Sequence, residues 1–336
     1  MNRGVRSMAV QNKEVTWKVL GIPVYGTITA PTNLEVHSAV VMVAGSGPTD
    51  RNWCSPLLPG ENGSGKLLAE TLASHGFVTL RYDKLASGPH ARENLPRFLG
   101  KLSMQSHVEE LAGAVETVLS ETNYPSHGLF VLTNSEGAIH AVNYQLHSES
   151  NPFKGLVLTG APGRAIGDVA RSQILTQVRS LPDAQSIMRR YDQAITAFQA
   201  SEPIIIDPSL PEVMKQLLLG LETPANLPFA KELWKYSLPD HLAKVTEPIL
   251  VVIGKRDLQI DWKIDGQALQ NATKQKTSVS FVYPEHANHV LKHDETSADK
   301  LTAQQASLRY NAPDAQLDKE ATDAILDWLG KLSHEP

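Results

Sequence analysis

The run "SAVVMVAG" (38–45) is apolar from its second residue to its closing glycine, and "GLFVLTN" (128–134) repeats the pattern later in the chain. A strand with one wet face alternates apolar and polar residues, so an unbroken run marks a strand covered on both faces. "FVTLRYD" (77–83) and "KGLVLTG" (154–160) read as two further strands. Helical spacing fills the intervals, at "GKLLAETLASHG" (65–76), at "SHVEELAGAVETVLSE" (106–121) and from Ser135 to about His147. A β-α-β-α-β series of this kind requires a mainly parallel sheet flanked by helices, with right-handed crossovers. The expected fold class is therefore α/β. Ahead of the series, "EVTWKVLGIPVYGTITAP" (14–31) predicts two strands around Gly21, Ile22 and Pro23, forming a hairpin at a sheet edge.

The rhythm breaks after residue 160. From about Ala161 to Lys244 the pattern is mostly helical, interrupted by "SEPIIIDPSLP" and "ETPANLPFA", with one short strand expected at "IIID" (204–207). The strand signal returns at "EPILVVIGKRD" (247–257), followed by a helix near 261–273, a strand "SVSFVYP" (278–284) and a final helix from about Asp318 to Leu332. The 336 residues thus divide into one core, 1–160 and 245–336, interrupted by a helical cap at 161–244.

Charge excludes several classes of partner. The net charge is -5, and no dense Lys/Arg run occurs, which removes the electrostatic basis for binding nucleic acid or an anionic membrane. With 41% hydrophobic and 20% charged residues of mixed sign, the chain can bury a sizeable core, and small molecules are the expected partners. The oligomeric state leaves no mark in the pattern. A single cysteine, Cys54, excludes an intrachain disulfide and a multi-thiolate zinc site, and fits a reducing compartment. The opening "MNRGVRSMAVQNKEVTWKVLG" has no apolar leader region, and no stretch reaches the roughly 20 apolar residues that span a bilayer, so a cytoplasmic location is expected.

In an open parallel sheet, ligands bind beyond the carboxyl ends of the strands. Four such ends stand out: "GSGPTDRN" after the strand at 38–44, Ser135 after 128–134, Asp257 in "GKRDLQ" after 247–253, and His289 in "EHANHVLK" after 278–284. A serine hydroxyl is barely ionised at neutral pH and must lose its proton as it attacks. An imidazole can take that proton, and a carboxylate can fix the imidazole tautomer and stabilise the imidazolium. Ser, Asp and His in this chain order match the triad layout of α/β-hydrolases. The oxyanion of a tetrahedral intermediate also needs main-chain N–H donors from the residue after the nucleophile and from the loop after an early strand. Glu136 and the "GSG" at 45–47 occupy those places.

The motifs "AGSGPTDRN", "RYDKLASG", "TNSEG", "GKRDLQI" and "ANHVLK" together resemble those of α/β-hydrolases of the bacterial esterase and serine-aminopeptidase-like group, over roughly residues 37 to 333. The resemblance implies an α/β-hydrolase fold with an inserted helical cap, Ser135 as nucleophile, Asp257 as the acid and His289 as the base. It also implies the main-chain N–H groups of Ser46 and Glu136 as oxyanion donors, a small ester-like substrate, and no metal or organic cofactor. Carboxylic-ester hydrolysis is the activity it favours, with amidase or peptidase, lactonase and thioesterase chemistry open on the same residues, and a non-catalytic ligand-binding protein as the rival of another class. Three positions depart from the pattern: Ala44 stands where histidine is frequent, Leu85 replaces arginine, and Thr133 replaces the first elbow glycine, where a Cβ is expected to widen the turn.

Plainer readings compete at each position. Ser135 could simply cap a helix, and Asp257 could simply belong to a turn. His286, His289 and His293 have a spacing that metal ligands on one helical face would share, but Pro284 interrupts the regularity. "GENGSGKL" (60–67) imitates a phosphate loop but has Leu67 where a magnesium-binding hydroxyl belongs. Arg81, Asp83 and Lys84 read as a structural ion-pair network.

Overall fold

The computed structural model describes residues 10–36, 38–121, 128–149, 152–297 and 300–334. Part of the opening stretch read for a leader, residues 1–9, lies outside them. The strands are β1 (Val10–Val19), β2 (Ile22–Pro31), β3 (Ser38–Val43), β4 (Phe77–Tyr82), β5 (Leu129–Asn134), β6 (Phe153–Thr159), β7 (Ile249–Val252) and β8 (Val279–Val282). The helices up to the end of the β6–β7 connection are α1 (Ser64–Ala73), α2 (Ala91–Phe98), α3 (Met104–Glu121), α4 (Gly137–His147), α5 (Ile166–Val178), α6 (Ala184–Ala200), α7 (Glu212–Glu222), α8 (Phe229–Trp234) and α9 (Leu238–Leu242). They are followed by α10 (Ile264–Thr273), α11 (Ala303–Leu308) and α12 (Lys319–Ser333).

The strands form one eight-stranded sheet in the order β1-β2-β4-β3-β5-β6-β7-β8. β3 to β8 pair in parallel, and β1 and β2 extend the edge antiparallel. The hairpin turns at Leu20 and Gly21, both with positive φ (52° and 74°), so the bend lies one residue before the expected centre. Two consecutive left-handed residues match the twist of the flanking strands.

The unbroken apolar runs are explained by what covers the sheet. Successive side chains in a strand point to opposite faces. Val41, Val131, Leu156 and Val251 enter one layer, shared with α3 and α4, while Val40, Phe130, Val157 and Leu250 enter the other, shared with α1 and α12. Both faces are therefore dry at the centre. Helices α5 to α9 connect β6 to β7, and α5 to α8 carry an apolar cluster of their own, including Ile187, Phe198, Met214 and Leu218. α9 instead joins the main core through Leu238 and Leu242.

The strand expected at 204–207 is absent: the segment is irregular, and Ile205 is 87% exposed. Pro203 and Pro208 bracket it, and proline lacks the N–H that a strand ladder requires. The short helices α2 and α11 were not foreseen.

Chain order reverses beside β3. The chain passes from β3 to β4 on one side and resumes with β5 on the other, and α1 and α4 depart to opposite faces. The two loops leaving β3 and β5 therefore diverge, and a crevice opens above the carboxyl ends of these strands.

Candidate active site

Ser135 stands at that crevice, between the end of β5 and the start of α4. Its φ of 53° puts a non-glycine residue in the left-handed region, where a side chain is strained unless the surroundings hold it. The Ser135 N–H donates to the Thr159 carbonyl at 2.8 Å, and the Ser135 carbonyl accepts from Ala138 N–H at 3.0 Å. Gly137 completes the bend. A Cβ there would lie 2.6 Å from the Val43 carbonyl oxygen, so only glycine lets α4 begin this close to β3. Thr133 lies within the ladder of β5, and its hydroxyl donates to the Val157 carbonyl at 3.2 Å. The turn keeps its left-handed residue with a threonine there, and the expected widening finds no counterpart in these bonds.

Asp257 and His289 follow β7 and β8, and the two side chains meet. His289 Nδ1 donates to Asp257 Oδ2 at 2.8 Å, with Asp257 fully buried and His289 nearly so. The other carboxylate oxygen accepts from the main-chain N–H groups of Gln259 (2.8 Å) and Ile260 (2.9 Å). An Nδ1 that donates leaves Nε2 with its lone pair available to accept a proton. Gly160, at the end of β6, leaves room for the ring: a Cβ there would sit 3.1 Å from His289 Nδ1. Asn134, the residue before Ser135, donates through Nδ2 to the His289 carbonyl at 2.9 Å, tying the serine corner to the histidine loop.

Ser135, His289 and Ser46 line a single cavity of about 190 Å³. Among the described residues no acceptor engages the main-chain N–H of Ser46 or of Glu136. The remaining candidates lie elsewhere. His293 bonds to Asp318 at 2.9 Å, an interaction that raises its pKa, and its ring lies 5.1 Å from that of His286 at a tilt of 45°. Asp265 is buried in an ion pair with Arg164 at 2.8 Å, and Asp261 accepts from the N–H groups of Lys263 and Ile264 ahead of α10. Asp83 pairs with Arg51 at 2.8 Å, and Arg81 bonds to Asn52 and Thr29.

Beneath the serine corner lies a buried polar network, of which sequence reasoning found only Lys84 as an ion-pair member and missed His107, Glu110 and His140. Lys84 donates to the Gly45 carbonyl and sits 3.6 Å from the Glu136 carboxylate. His140 Nε2 bonds to Glu136 at 3.1 Å, the His140 ring faces that of His107, and His107 Nδ1 bonds to Glu110 at 2.7 Å. Glu110 in turn accepts from the Leu85 N–H at 2.7 Å. Burial alone would push the Glu136 carboxyl up, but Lys84 and the His140 bond outweigh it and hold the pKa at about 2. Burial, with the neighbouring His107, lowers His140 to about 4. A signal existed: His107 and Glu110 share the stripe of α3 that carries Leu111, Ala114 and Val118, and polar groups on a buried stripe need partners.

A second cavity, of about 560 Å³, opens beside Gly47 and Glu136 and runs beneath α5, α7 and α8. Among the described residues no cluster of His, Cys, Asp and Glu suits a metal ion, and no helix is long and apolar enough to cross a membrane.

No family model matches the chain. It is similar to esterase EstD of Thermotoga maritima, with 25% identity over 326 residues, covering 96% of this chain and 68% of that protein. Among solved structures it is similar to Est1E of Butyrivibrio proteoclasticus with ferulic acid bound (TM-score 0.57, 15% identity, 96% of this chain and 100% of that one). It is also similar to the Pyrococcus furiosus esterase Pf2001 (TM-score 0.56, 15% identity, 99% of this chain and 95% of that one). Identities this low speak for the fold. With its strand order and its sharp corner after β5, the chain has the α/β-hydrolase fold.

Proposed function

We propose that the protein is a serine carboxylesterase that works through an acyl-enzyme on Ser135. The observation that carries this reading is the 2.8 Å bond from His289 to the buried Asp257, made while His289 and the strained Ser135 open on one cavity. Esterase names among the relatives of low identity support it.

Ser135 Oγ attacks the ester carbonyl as His289 Nε2 accepts its proton, and Asp257 stabilises the imidazolium. The oxyanion is held by the N–H groups of Ser46 and Glu136. Collapse expels the alkoxide, which takes the proton back from His289. Water, deprotonated by the same imidazole, then attacks the acyl-enzyme and releases the acid. The helices of 161–244 serve as a cap over the substrate, and no metal or cofactor is required.

A fluorophosphonate probe tests the reading. The intact protein should be labelled at Ser135, and Ser135→Ala should abolish both labelling and turnover of a short p-nitrophenyl ester. His289→Ala should slow both by about 10³-fold or more. Folded protein that resists the probe, or near-normal rates in either variant, would overturn it.

A further inference from the structure

Two cavities flank the Ser135–Glu136 corner, and they differ in kind. The larger, about 560 Å³, is walled by Phe98, Leu102, Ile166, Leu221, Phe229 and Leu233. The smaller, about 190 Å³, presents Thr49, Ser55, Gln259, Ser307, Tyr310 and Asn311. At roughly 30 Å³ per water-sized group, the smaller holds about six such groups and the larger three times as many.

The proton path decides which half of an ester enters each. The leaving oxygen must take its proton from His289, so the alcohol half lies on the side of that ring. His289 and Ser135 both line the small cavity and neither lines the large one, which reaches the corner at Gly47 and Glu136. The carbonyl oxygen is directed to the N–H groups of Ser46 and Glu136. The acyl chain, the remaining substituent on the reacting carbon, is left with the large cavity, whose wall includes Gly47 and Glu136.

The small cavity also carries an unmet acceptor. Asn311 is only 1% exposed, and its Nδ2 donates to the carbonyls of Ser55 (3.0 Å) and Leu58 (3.3 Å), which fixes the amide orientation. Its Oδ1 has no partner among the described residues. Next to it, the Tyr310 hydroxyl accepts from Gln259 Nε2 at 3.1 Å and keeps its own proton to donate. An unpartnered acceptor and a free donor on two residues that line one cavity suit a hydroxyl group, which can donate to one and accept from the other.

We propose that the preferred substrates join a medium-length apolar acid to a small alcohol bearing a second hydroxyl, with the acid in the large cavity and the alcohol in the small one. This rests on the acyl-enzyme reading above. Two isomeric esters separate the orientations, 2-hydroxyethyl hexanoate and hexyl glycolate, with propyl hexanoate as the isostere lacking the hydroxyl. Followed by pH-stat, kcat/KM should favour 2-hydroxyethyl hexanoate over hexyl glycolate by about tenfold or more, and over propyl hexanoate by about 5-fold or more. Asn311→Leu should erase the second preference mainly through KM. If that variant fails to fold, the comparison of hydroxyethyl with propyl ester in the unaltered protein decides the point. Equal or reversed preferences, with Ser135 still labelled by the fluorophosphonate, would overturn the assignment of the cavities and leave the serine mechanism standing. Turnover of neither ester with Ser135 labelled would also overturn it, and with Ser135 unlabelled both readings fall.

Discussion

His140 gives the protein an acid sensitivity whose size follows from its burial. The ring is fully enclosed, and its pKa falls from the ordinary 6.5 to about 4, because burial and the facing His107 disfavour the charged form more than Glu136 favours it. Between these values the unfolded chain binds a proton that the folded chain refuses. Stability therefore rises with pH across this window and is lost as pH falls from 6.5 towards 4. From pH 7.5 to pH 5 the loss due to this group is about 2 kcal/mol. Its partner Glu136 titrates in a lower range: its folded pKa of about 2 lies below the ordinary 4.5, so its contribution is lost as pH falls below about 4.5. The window above pH 5 thus isolates the histidine. His140→Gln keeps a donor for Glu136 and removes the titration. Urea unfolding at pH 7.5, 6 and 5 should show wild-type stability falling by about 2 kcal/mol more than that of the variant. Parallel pH dependences in the two proteins would refute the argument, because His140 is the group whose titration the substitution removes.

Two further substitutions probe the frame that holds the site. Gly137→Ala brings a methyl to 2.6 Å from the Val43 carbonyl and 2.9 Å from that of Ala44. It should destabilise the protein by about 1–3 kcal/mol and lower kcat/KM for a p-nitrophenyl ester, because relief requires the Ser135 corner to move away from β3. Unchanged urea midpoint and rate would contradict the packing argument. Arg164→Ala strips the guanidinium from the fully buried Asp265 carboxylate, which it contacts at 2.8 Å. A loss of about 3 kcal/mol is expected by urea unfolding, because the buried carboxylate keeps only the main-chain N–H groups of Gly163 and Asp261 as donors.

Some of these features could be read directly from the chain. A sheet covered on both faces demands strands apolar at every position, and that demand is local, so "SAVVMVAG" and "GLFVLTN" disclosed it without any knowledge of their neighbours. The parallel α/β architecture followed from the alternation of such runs with helical spacing. The order of Ser135, Asp257 and His289 at strand ends was equally visible, because strand ends can be located from the runs themselves. The misreading at 204–207 has a local cause too: three isoleucines mimic a strand, but the prolines on either side deny it a ladder.

Tertiary structure decided what depends on residues distant in the chain. Which strands neighbour one another, and hence that the loops after β3 and β5 part at one crevice, is a property of the sheet order. The bond from Asn134 to the His289 carbonyl joins residues 155 positions apart, and no periodicity announces it. The buried chain from Lys84 through Glu136 and His140 to His107 and Glu110 is drawn from three separate segments. The cavities are more distributed still, with walls from α2, α5, α7 and α8 on one side and from the residues around α11 on the other. Hydrophobic patterning acts along the chain and so can be read from it; shape and hydrogen-bond complementarity act across space and exist only once the chain has folded.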